Sequence, residues 1–350
     1  MSTPQPVKPV RNSAIELFRI VAMLLVVVVH TDGKALHGPS TALFQLHFAD
    51  AAVRTIVQQL SVVCVDCFVV ISGWFGIRLT VRSVANLLFQ ALFISVGAYL
   101  AAVAMGLMPW SSDALLGSLD VLHIYWFLTA YLGLMMISPA LNALADHATR
   151  CQLAQSVAWY AAFAFVVGWA ADMGGFNWGY STMSFMLIYL LMRYLRLHGS
   201  AIVSAMSPLG WLGCYLAIAF AASAVIVATG LWGSGEALNW AYMHLCAYDS
   251  PTTVAASVCL FMAFSRLSFT SRVVNWVAAS AFSVYLLHCS TGLFPSFLST
   301  VNSLHRTLPL AGFSVAMVGL VAVTFAVSVT ADQLRRLAWH PIEKLLRRLG

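Results

Sequence analysis

Charged residues are scarce in this sequence, and their scarcity excludes a water-soluble protein. Only 9% of the 350 residues are charged and 61% are hydrophobic, whereas about 25% of the residues of an ordinary soluble domain are charged. Because so few charges cannot cover a surface that faces water, the apolar excess must face lipid. No stretch is long and polar enough for a separate soluble domain. We therefore expect one all-α membrane domain over residues 1–350, with a helix bundle over 12–334 and a basic cytosolic tail over 335–350.

The cysteines indicate neither disulfide bonds nor a metal site. The chain has seven of them, an odd number, and most fall in apolar runs. Cys64 and Cys67 form a C-x-x-C motif, but it lies inside a predicted span with no second Cys or His pair nearby. We therefore predict no disulfide framework, no zinc and no permanently bound cofactor.

Ten apolar runs separated by breaker residues predict ten transmembrane helices, since a span needs about 20 residues. The predicted spans are approximately Ile15–Thr31, Ala52–Ile77, Val84–Met108, Leu122–Leu141, Gln152–Ala171, Thr182–Leu197, Pro208–Leu231, Thr252–Phe264, Val273–Phe294 and Leu308–Leu334.

The basic residues predict the orientation of these spans, because Lys and Arg accumulate on the cytosolic side of a membrane. If the N-terminus is inside, 14 of the 18 Lys and Arg fall in inner segments, and only Lys34, Arg54 and Arg306 fall in outer ones. We expect a multi-pass protein of the cell (plasma or inner) membrane with both termini cytoplasmic and membrane lipids around it. The net charge of +6 follows from this pattern, so no nucleic-acid partner is expected. We also expect Pro341 to break the basic tail from the last span.

Few ionisable residues lie within the spans, and each is a functional candidate because charge is costly in hydrocarbon. The first span contains Glu16, Arg19 and His30. Arg19 and His30 are 11 residues apart, which is about three helical turns, so they share one face at about 16 Å along the axis. Glu16 can pair with Arg19 across one turn.

The face that carries Arg19 and His30 suits a long cytosolic ligand with an anionic head and a reactive tail. Arginine binds phosphate through its planar guanidinium, and a neutral imidazole can take a proton from an attacking hydroxyl. Extended pantetheine has a reach similar to the separation of the two side chains. The alternative is that Arg19 reaches the inner headgroups while His30 caps the outer end of the helix.

Four stretches in chain order resemble the acyltransferase-3 family of membrane proteins. Glu16-x-x-Arg19-x10-His30 resembles its opening signature, and the 11 residues from Val65 to Phe75 resemble its second-helix pattern VDLFFxxSGxF. Trp126-Phe127-Leu128 with the later Ser-Pro-Ala-Leu-Asn at 138–142 resembles its WFL…SPLLN stretch, and 282–288 resembles its FxIYLxH stretch. The resemblance covers nearly the whole chain.

The resemblance implies a ten-helix domain that moves acyl groups, usually from acyl-CoA, to sugars or other acceptors at the outer face. It implies that Arg19 and His30 form the Arg-x10-His motif of the family, with His30 essential. Arg78 and Arg82 match a basic pair that follows the second helix in many members. Cys67 departs from the family pattern, which has a bulkier apolar residue there.

The remaining candidates have structural alternatives. Asp66 can orient an imidazole or pair with a buried cation, or it can hydrogen bond to Ser or Thr on another helix. His288, at a depth close to that of His30, can line the same chamber or bind a backbone carbonyl. Arg78 and Arg82 can hold the phosphates of CoA or only provide positive charge on the inner side. The roles of His123, at the outer end of the fourth span, and of Tyr285 stay open, as does the oligomeric state.

Together these features favour an O-acetyltransferase-like enzyme that moves an acyl group, most simply acetyl, from acyl-CoA to an extracytoplasmic glycan or lipid-linked sugar. The expected catalytic residues are His30, Asp66 and His288, and the expected CoA-binding residues are Arg19, Arg78 and Arg82. The first alternative is a transporter or flippase for a lipid-linked sugar, against which the lack of internal repeats counts. The second alternative is a membrane sensor or scaffold that binds a ligand without turnover.

Overall fold

The part of the chain that the structure describes is helical and contains no strand. The computed structural model describes the backbone of residues 12–349 and the side chains of residues 12–344. Its α-helices are α1 Ser13–His30, α2 Thr41–Leu46, α3 Phe48–Ser61, α4 Cys64–Phe75, α5 Val81–Ala104, α6 Ser112–Gly117, α7 Val121–Ile124, α8 Trp126–His147, α9 Arg150–Phe163, α10 Thr182–His198, α11 Ser200–Ser204, α12 Pro208–Trp232, α13 Gly235–Leu245, α14 Pro251–Ser265, α15 Arg272–Ala278, α16 Ala281–His288, α17 Phe294–Thr307 and α18 Leu310–Leu349. The all-α prediction is confirmed for these residues.

Within the described residues, seven helical segments are long and apolar enough to cross a membrane. They are Ser13–Leu36, Phe48–Phe75, Val81–Ala104, Trp126–His147, Arg150–Trp169, Pro208–Trp232 and Leu310–Lys344. The other three predicted spans are also helical but shorter or broken: α10 has 17 residues, α14 has 15, and the ninth span is divided between α15 and α16. The protein is a multi-pass membrane protein, while the number ten and the side of the termini stay predictions.

Helix starts and stops follow local chemistry. The Asn12 side chain accepts a hydrogen bond from the backbone N–H of Ala14 and so caps α1. Thr80 and Ser83 form a reciprocal capping box at the start of α5. Gly76 ends α4 with a φ of 76°, a conformation that glycine adopts at little cost.

The predicted break at Pro341 is wrong, because α18 continues through this residue as one 40-residue helix. Proline removes one backbone N–H and usually bends a helix. The turns before it are held by contacts to α5: Arg335 donates a hydrogen bond to Asn86, and Trp339 is buried beside Phe89. Packing therefore outweighs the local preference of proline. The predicted inner-side residues Lys8 and Arg11, and the side chains of Arg347 and Arg348, lie outside the described part of the chain.

The core of the bundle lies around α1 and the pair α3–α4. In the apolar window of Ser13–Leu36, 61% of residues are buried, and in that of Phe48–Phe75, 72%, against 6% for α18. Gly73 shows how tightly α4 packs, because a Cβ there would lie 2.7 Å from the carbonyl oxygen of Tyr189 on α10. Small residues permit such close approach between membrane helices. Of the functional candidates on α1, Glu16 and His30 are therefore buried inside protein, while Arg19 is partly exposed.

Basic residues gather at the end of the bundle where α1 begins. The backbone N–H of Ser13 donates to the carbonyl of Phe269, just after α14. At the same end Arg82 pairs with Glu343, and Arg193 of α10 pairs with Asp146 of α8 at 2.7 Å. This arrangement is the one that the positive-inside pattern predicts. We call this end the inner end of the bundle and the opposite end the outer end.

Candidate active site

His30 and His288 meet in the buried outer half of the bundle. Each is the last residue of its helix, α1 and α16 respectively, and both side chains are buried. The Nδ1 of His30 lies 2.8 Å from the Nε2 of His288. The Nδ1 of His288 lies 2.6 Å from the carbonyl oxygen of Val284, one turn earlier on α16. Two residues that are 258 positions apart in the chain therefore share one hydrogen bond.

These contacts determine which ring nitrogen of His30 is available. The carbonyl of Val284 can only accept, so the Nδ1 of His288 carries a hydrogen. Neutral His288 then accepts at Nε2, and His30 must donate from Nδ1. The Nε2 of His30 is left with its lone pair, and no hydrogen bond to it is found among the described residues. A free imidazole lone pair is what a general base requires.

Buried hydrogen bonds hold α16, and with it His288, in place. The hydroxyl of Tyr125 donates to the carbonyl of Leu286 at 2.8 Å. Ser283 donates to Asp332 of α18 at 2.6 Å and accepts from Gln90 of α5 at 2.7 Å. Arg335 closes the network through two hydrogen bonds to Asp332. Because these groups are satisfied by each other, the network can fix a short half-helix inside the bundle.

An aromatic and sulfur surface surrounds the histidine pair. The ring of Phe294 meets His30 edge-on at 5.6 Å between centroids, and Phe297 lies 5.7 Å from His288. The Sγ of Cys289 lies 3.4 Å from the Nε2 of His288 and 3.6 Å from the Nδ1 of His30. All seven cysteines are free thiols. The apolar rings keep water away from one side of the pair.

Three adjoining cavities run along the face of α1 that carries Arg19 and His30. The inner cavity, of about 270 Å³, is lined by Arg19 and by Ser72, Gln90 and Tyr131 among others. The narrow cavity, of about 20 Å³, has His30 in its wall and room for a single water molecule. The outer cavity, of about 230 Å³, also has His30 in its wall.

Shared side chains connect these cavities. Phe68, Phe127 and Phe282 line both the inner and the narrow cavity. His30 and Tyr248 line both the narrow and the outer cavity. A ligand that extends from Arg19 to His30 would therefore pass a ring of three phenylalanines, and these side chains must change rotamer to admit it.

The outer cavity is polar and aromatic. Its wall includes Lys34, Gln58, Trp178, Tyr180 and Tyr242. The Oε1 of Gln58 is buried without a hydrogen-bond partner among the described residues. An unpaired buried acceptor costs free energy, so it is suited to a ligand that donates a hydrogen bond.

Asp32, two residues after His30, forms an ion pair with Arg54 beside the outer cavity. Asp32 lies in the π-helical turns Thr31–Leu36 that continue α1. Its carboxylate accepts from the Nε of Arg54 at 2.6 Å and from the hydroxyl of Tyr242 at 3.0 Å. This pair anchors the end of α1 to α3 and α13.

The predicted CoA-binding arginines differ in position. Arg19 lines the inner cavity and hydrogen bonds Glu16 at 2.9 Å, with 35% of its side chain exposed. Arg78 and Arg82 are exposed at the inner end, next to the start of α5, and are not part of the wall of the inner cavity. The structure thus places Arg19 at the cavity and the other two on the surface.

Asp66 and His123 do not join the histidine pair. Asp66 lies in the first turn of α4, fully buried, and neither carboxylate oxygen has a hydrogen-bond partner among the described residues. The carboxylate of Asp249, in the loop before α14, is likewise buried without a hydrogen-bond partner among these residues. His123 is exposed and pairs with Asp120 at 2.8 Å. The side chain that orients His30 is therefore His288.

Sequence reasoning did not identify Cys289, Gln58 or Lys34 as neighbours of the site. It left the role of Tyr285 open and named Trp126 only within a stretch that resembles the family. Trp126 and Tyr285 line the narrow cavity. Cys289 follows His288 directly, which was the one available signal for it. Lys34 lies four residues after His30 in the same helical segment, which was the available signal for it, whereas Gln58 lies on α3, whose placement against α1 no sequence pattern shows.

The family comparison covers most of the chain. The model of the Acyl_transf_3 family, described as an acyltransferase domain, matches residues 12–331. Searches of the curated proteins and of the solved structures find no match to the chain. The matched region also contains the ends of α1 and α16, which carry the histidine pair. Because the family model matches most of the chain, the protein belongs to the acyltransferase-3 family and is a multi-pass membrane acyltransferase.

Proposed function

We propose that the protein transfers an acyl group, most simply acetyl, from cytosolic acyl-CoA to a hydroxyl of an extracytoplasmic glycan or lipid-linked sugar. The observation that supports this most directly is the position of His30. Its Nε2 has no hydrogen bond among the described residues, and its ring lies where the narrow and outer cavities meet. Arg19 lies at the inner end of the same series of cavities.

The donor enters from the inner end. Arg19 binds the anionic part of CoA next to the inner cavity, and Arg78 and Arg82 attract it to the opening. The break between α15 and α16 lines the same cavity through Ala278, Ala279 and Ala281. Broken membrane helices expose backbone N–H groups that favour anionic ligands. The pantetheine arm then extends along α1, and the thioester comes to lie at His30.

The chemistry is transfer from sulfur to oxygen. The Nε2 of His30 takes the proton of the acceptor hydroxyl while its oxygen attacks the thioester carbonyl. The carbon–sulfur bond breaks, and the CoA thiolate leaves and receives that proton from the imidazolium. His288 accepts the Nδ1 hydrogen of His30 throughout, so it orients the ring and stabilises its positive charge. The alternative of an acyl-histidine intermediate uses the same nitrogen as the nucleophile.

The acceptor occupies the outer cavity. Gln58 Oε1 can accept from a sugar hydroxyl, and the rings of Trp178 and Tyr180 provide flat surfaces for the apolar face of a sugar. A separate apolar groove of about 560 Å³ opens between α1, α3 and α18 and reaches the Asp32–Arg54 pair. This groove suits the hydrocarbon tail of a lipid-linked sugar. Both termini are cytoplasmic in this proposal, and the protein lies in the cell (plasma or inner) membrane.

The test compares the wild type with His30→Ala in membranes supplied with radiolabelled acetyl-CoA. We expect label on glycan and release of free CoA in the wild type, and loss of both in the variant by about 10²- to 10⁴-fold, the usual contribution of a general base. His123→Ala is the matched control, because this histidine is exposed and outside the cavities. Turnover undiminished in His30→Ala would contradict the proposal. Sugar flux without CoA release would support the transporter alternative.

A further inference from the structure

Three side chains of the types that bind metal ions lie close together beside the outer cavity. The donor atoms of His30, His288 and Cys289 lie within 4.8 Å of one another. The separations are 2.8 Å between the two nitrogens, and 3.4 and 3.6 Å from the sulfur to the nitrogens of His288 and His30. This group contains two imidazoles and one thiol, which is a donor set that Zn²⁺ prefers.

These separations are close to those of a tetrahedral zinc site. With Zn–N near 2.05 Å and Zn–S near 2.3 Å, two nitrogens lie about 3.3 Å apart and a nitrogen and a sulfur about 3.6 Å apart. The two sulfur distances already agree. Only the distance between the two nitrogens must open, by about 0.5 Å, which replaces their hydrogen bond by two bonds to the metal.

The surroundings also match a metal site. The Nδ1 of His288 donates to the Val284 carbonyl, and a ligating histidine usually makes such a bond with its second nitrogen. Phe294 and Phe297 form an apolar shell. His30 lines the outer cavity, which gives the ion an entry route and a place for water as the fourth ligand. Lys34 shares that cavity and repels a cation, and the negative charge of the thiolate offsets this repulsion.

We propose that His30 Nδ1, His288 Nε2 and Cys289 Sγ form a zinc-binding site that switches the enzyme off. Zn²⁺ forms two bonds to nitrogen and one to sulfur, and the thiol proton leaves to solvent. The hydrogen on Nδ1 of His30 moves to Nε2, because the metal occupies Nδ1. The Nε2 lone pair is then lost, and His30 can no longer take a proton from an acceptor hydroxyl. The inhibitory effect rests on the proposed function, while the zinc site itself does not. The sequence analysis predicted no zinc, and the proposed site differs from that prediction.

Binding is tested first, on full-length protein without a histidine tag, treated with a chelator and then given Zn²⁺ or Co²⁺. We expect one bound zinc per chain after desalting, and a thiolate-to-cobalt absorption band with Co²⁺. Cys289→Ala should remove the band and weaken zinc binding by more than about 100-fold, since loss of even an outer-shell partner costs 10- to 100-fold. Cys259→Ala, which removes a buried thiol on α14, is the matched control and should bind as the wild type does.

Activity is tested second. Zn²⁺ should inhibit wild-type acyl transfer, a chelator should restore it, and Cys289→Ala should stay active and resist zinc. Zinc binding that is equal in Cys289→Ala and the wild type, or no saturable binding in the wild type, would overturn the site. If binding is lost in Cys289→Ala but no variant transfers acyl groups, the zinc site stands and the proposed function fails.

Discussion

The two ends of the cavity series hold their principal side chains in different ways. At the outer end, His30 is buried and its ring is oriented by a hydrogen bond to His288, which a second hydrogen bond orients in turn. At the inner end, Arg19 has 35% of its side chain exposed and is held by one ion pair to Glu16. The role of His30 therefore depends on the orientation of its ring, while the role of Arg19 depends on its charge. Substitutions at the two ends should accordingly change different kinetic constants.

Removal of the partner of His30 should have the largest effect. His288→Leu should lower kcat with little change in KM for acyl-CoA, because a buried donor left unpaired costs about 1–3 kcal/mol, or roughly 5- to 150-fold in rate. Steady-state kinetics measure both constants. His288→Gln is the matched variant, since its amide oxygen can accept the Nδ1 hydrogen of His30 and should restore much of the rate. Equal losses in both variants would show that His288 does not act by accepting this hydrogen.

The second substitution tests the inner end. Arg19→Gln should raise KM for acyl-CoA by about tenfold and leave kcat nearly unchanged, because a charge-assisted hydrogen bond is worth about 1.5–3 kcal/mol and solvent weakens it here. Arg19→Lys should fall between the two, since lysine lacks the planar fork. Arg150→Gln is the control for lost charge, because Arg150 is exposed at the start of α9. A drop in kcat alone would place Arg19 at the reaction and not at the donor.

The passage between the ends offers a third test. Phe282 lines the inner cavity and also the narrow cavity beside His30, where the thioester and its acyl chain lie in the proposed reaction. Phe282→Ala should shift donor preference from acetyl-CoA towards longer acyl-CoAs by roughly tenfold per added pair of methylenes, at about 0.8 kcal/mol for each buried methylene. Competition between acyl-CoAs of different chain length measures this preference. Phe89→Ala, on α5 beside Trp339, is the control and should leave it unchanged. An unchanged preference in Phe282→Ala would show that the acyl chain takes another route.

The smallest expected effect is a change in thermal stability, and it concerns Asp249 in the loop before α14. Burial raises the pKa of Asp249 from its ordinary value of 3.8 to about 6, and its carboxylate has no hydrogen-bond partner among the described residues. Because the pKa is raised in the folded protein, ionisation of Asp249 destabilises the fold. The contribution of Asp249 to stability is therefore highest below pH 3.8 and falls as the pH rises through about 6. Asp249→Asn should therefore raise the melting temperature at pH 8 and have little effect near pH 4.

Thermal unfolding in detergent at both pH values measures this difference. Asp120→Asn is the control, because a hydrogen bond from His123 lowers the pKa of the exposed Asp120 carboxyl, and this variant should not gain stability at pH 8. A gain at pH 4 equal to that at pH 8 would show that the charge of Asp249 is not responsible.

The sequence was most informative for α1. Its apolar length predicts a membrane helix, and the spacing of Arg19 and His30 predicts that they share one face. The structure lines one series of cavities with both of them. The sequence was least informative for the ninth span, which the apolar run predicts as one helix. The structure divides it into α15 and α16 at residues 279–280, and hydrogen bonds of Ser283 and Leu286 to side chains elsewhere in the bundle hold α16.

Hydropathy also could not distinguish core from periphery. The apolar windows of Ser13–Leu36 and Leu310–Lys344 have mean hydropathies of 2.1 and 2.3, yet 61% of the first and 6% of the second is buried. Lipid is as apolar as a protein core, so both environments select the same residues. Polar residues within a span are the better signal, and α1 has them on one face.

The sequence by itself determined that the chain is a multi-pass helical membrane protein of one family, because composition, apolar length and ordered motifs are properties of the chain alone. It also indicated His30, His288 and Arg19 as candidates, since ionisable groups are costly within a span. Only the tertiary structure decided that His288 and not Asp66 contacts His30, and that Cys289 and Gln58 lie beside the site. The reason is physical: these contacts join residues up to 259 positions apart, and they depend on the packing and rotation of helices, which hydropathy does not specify.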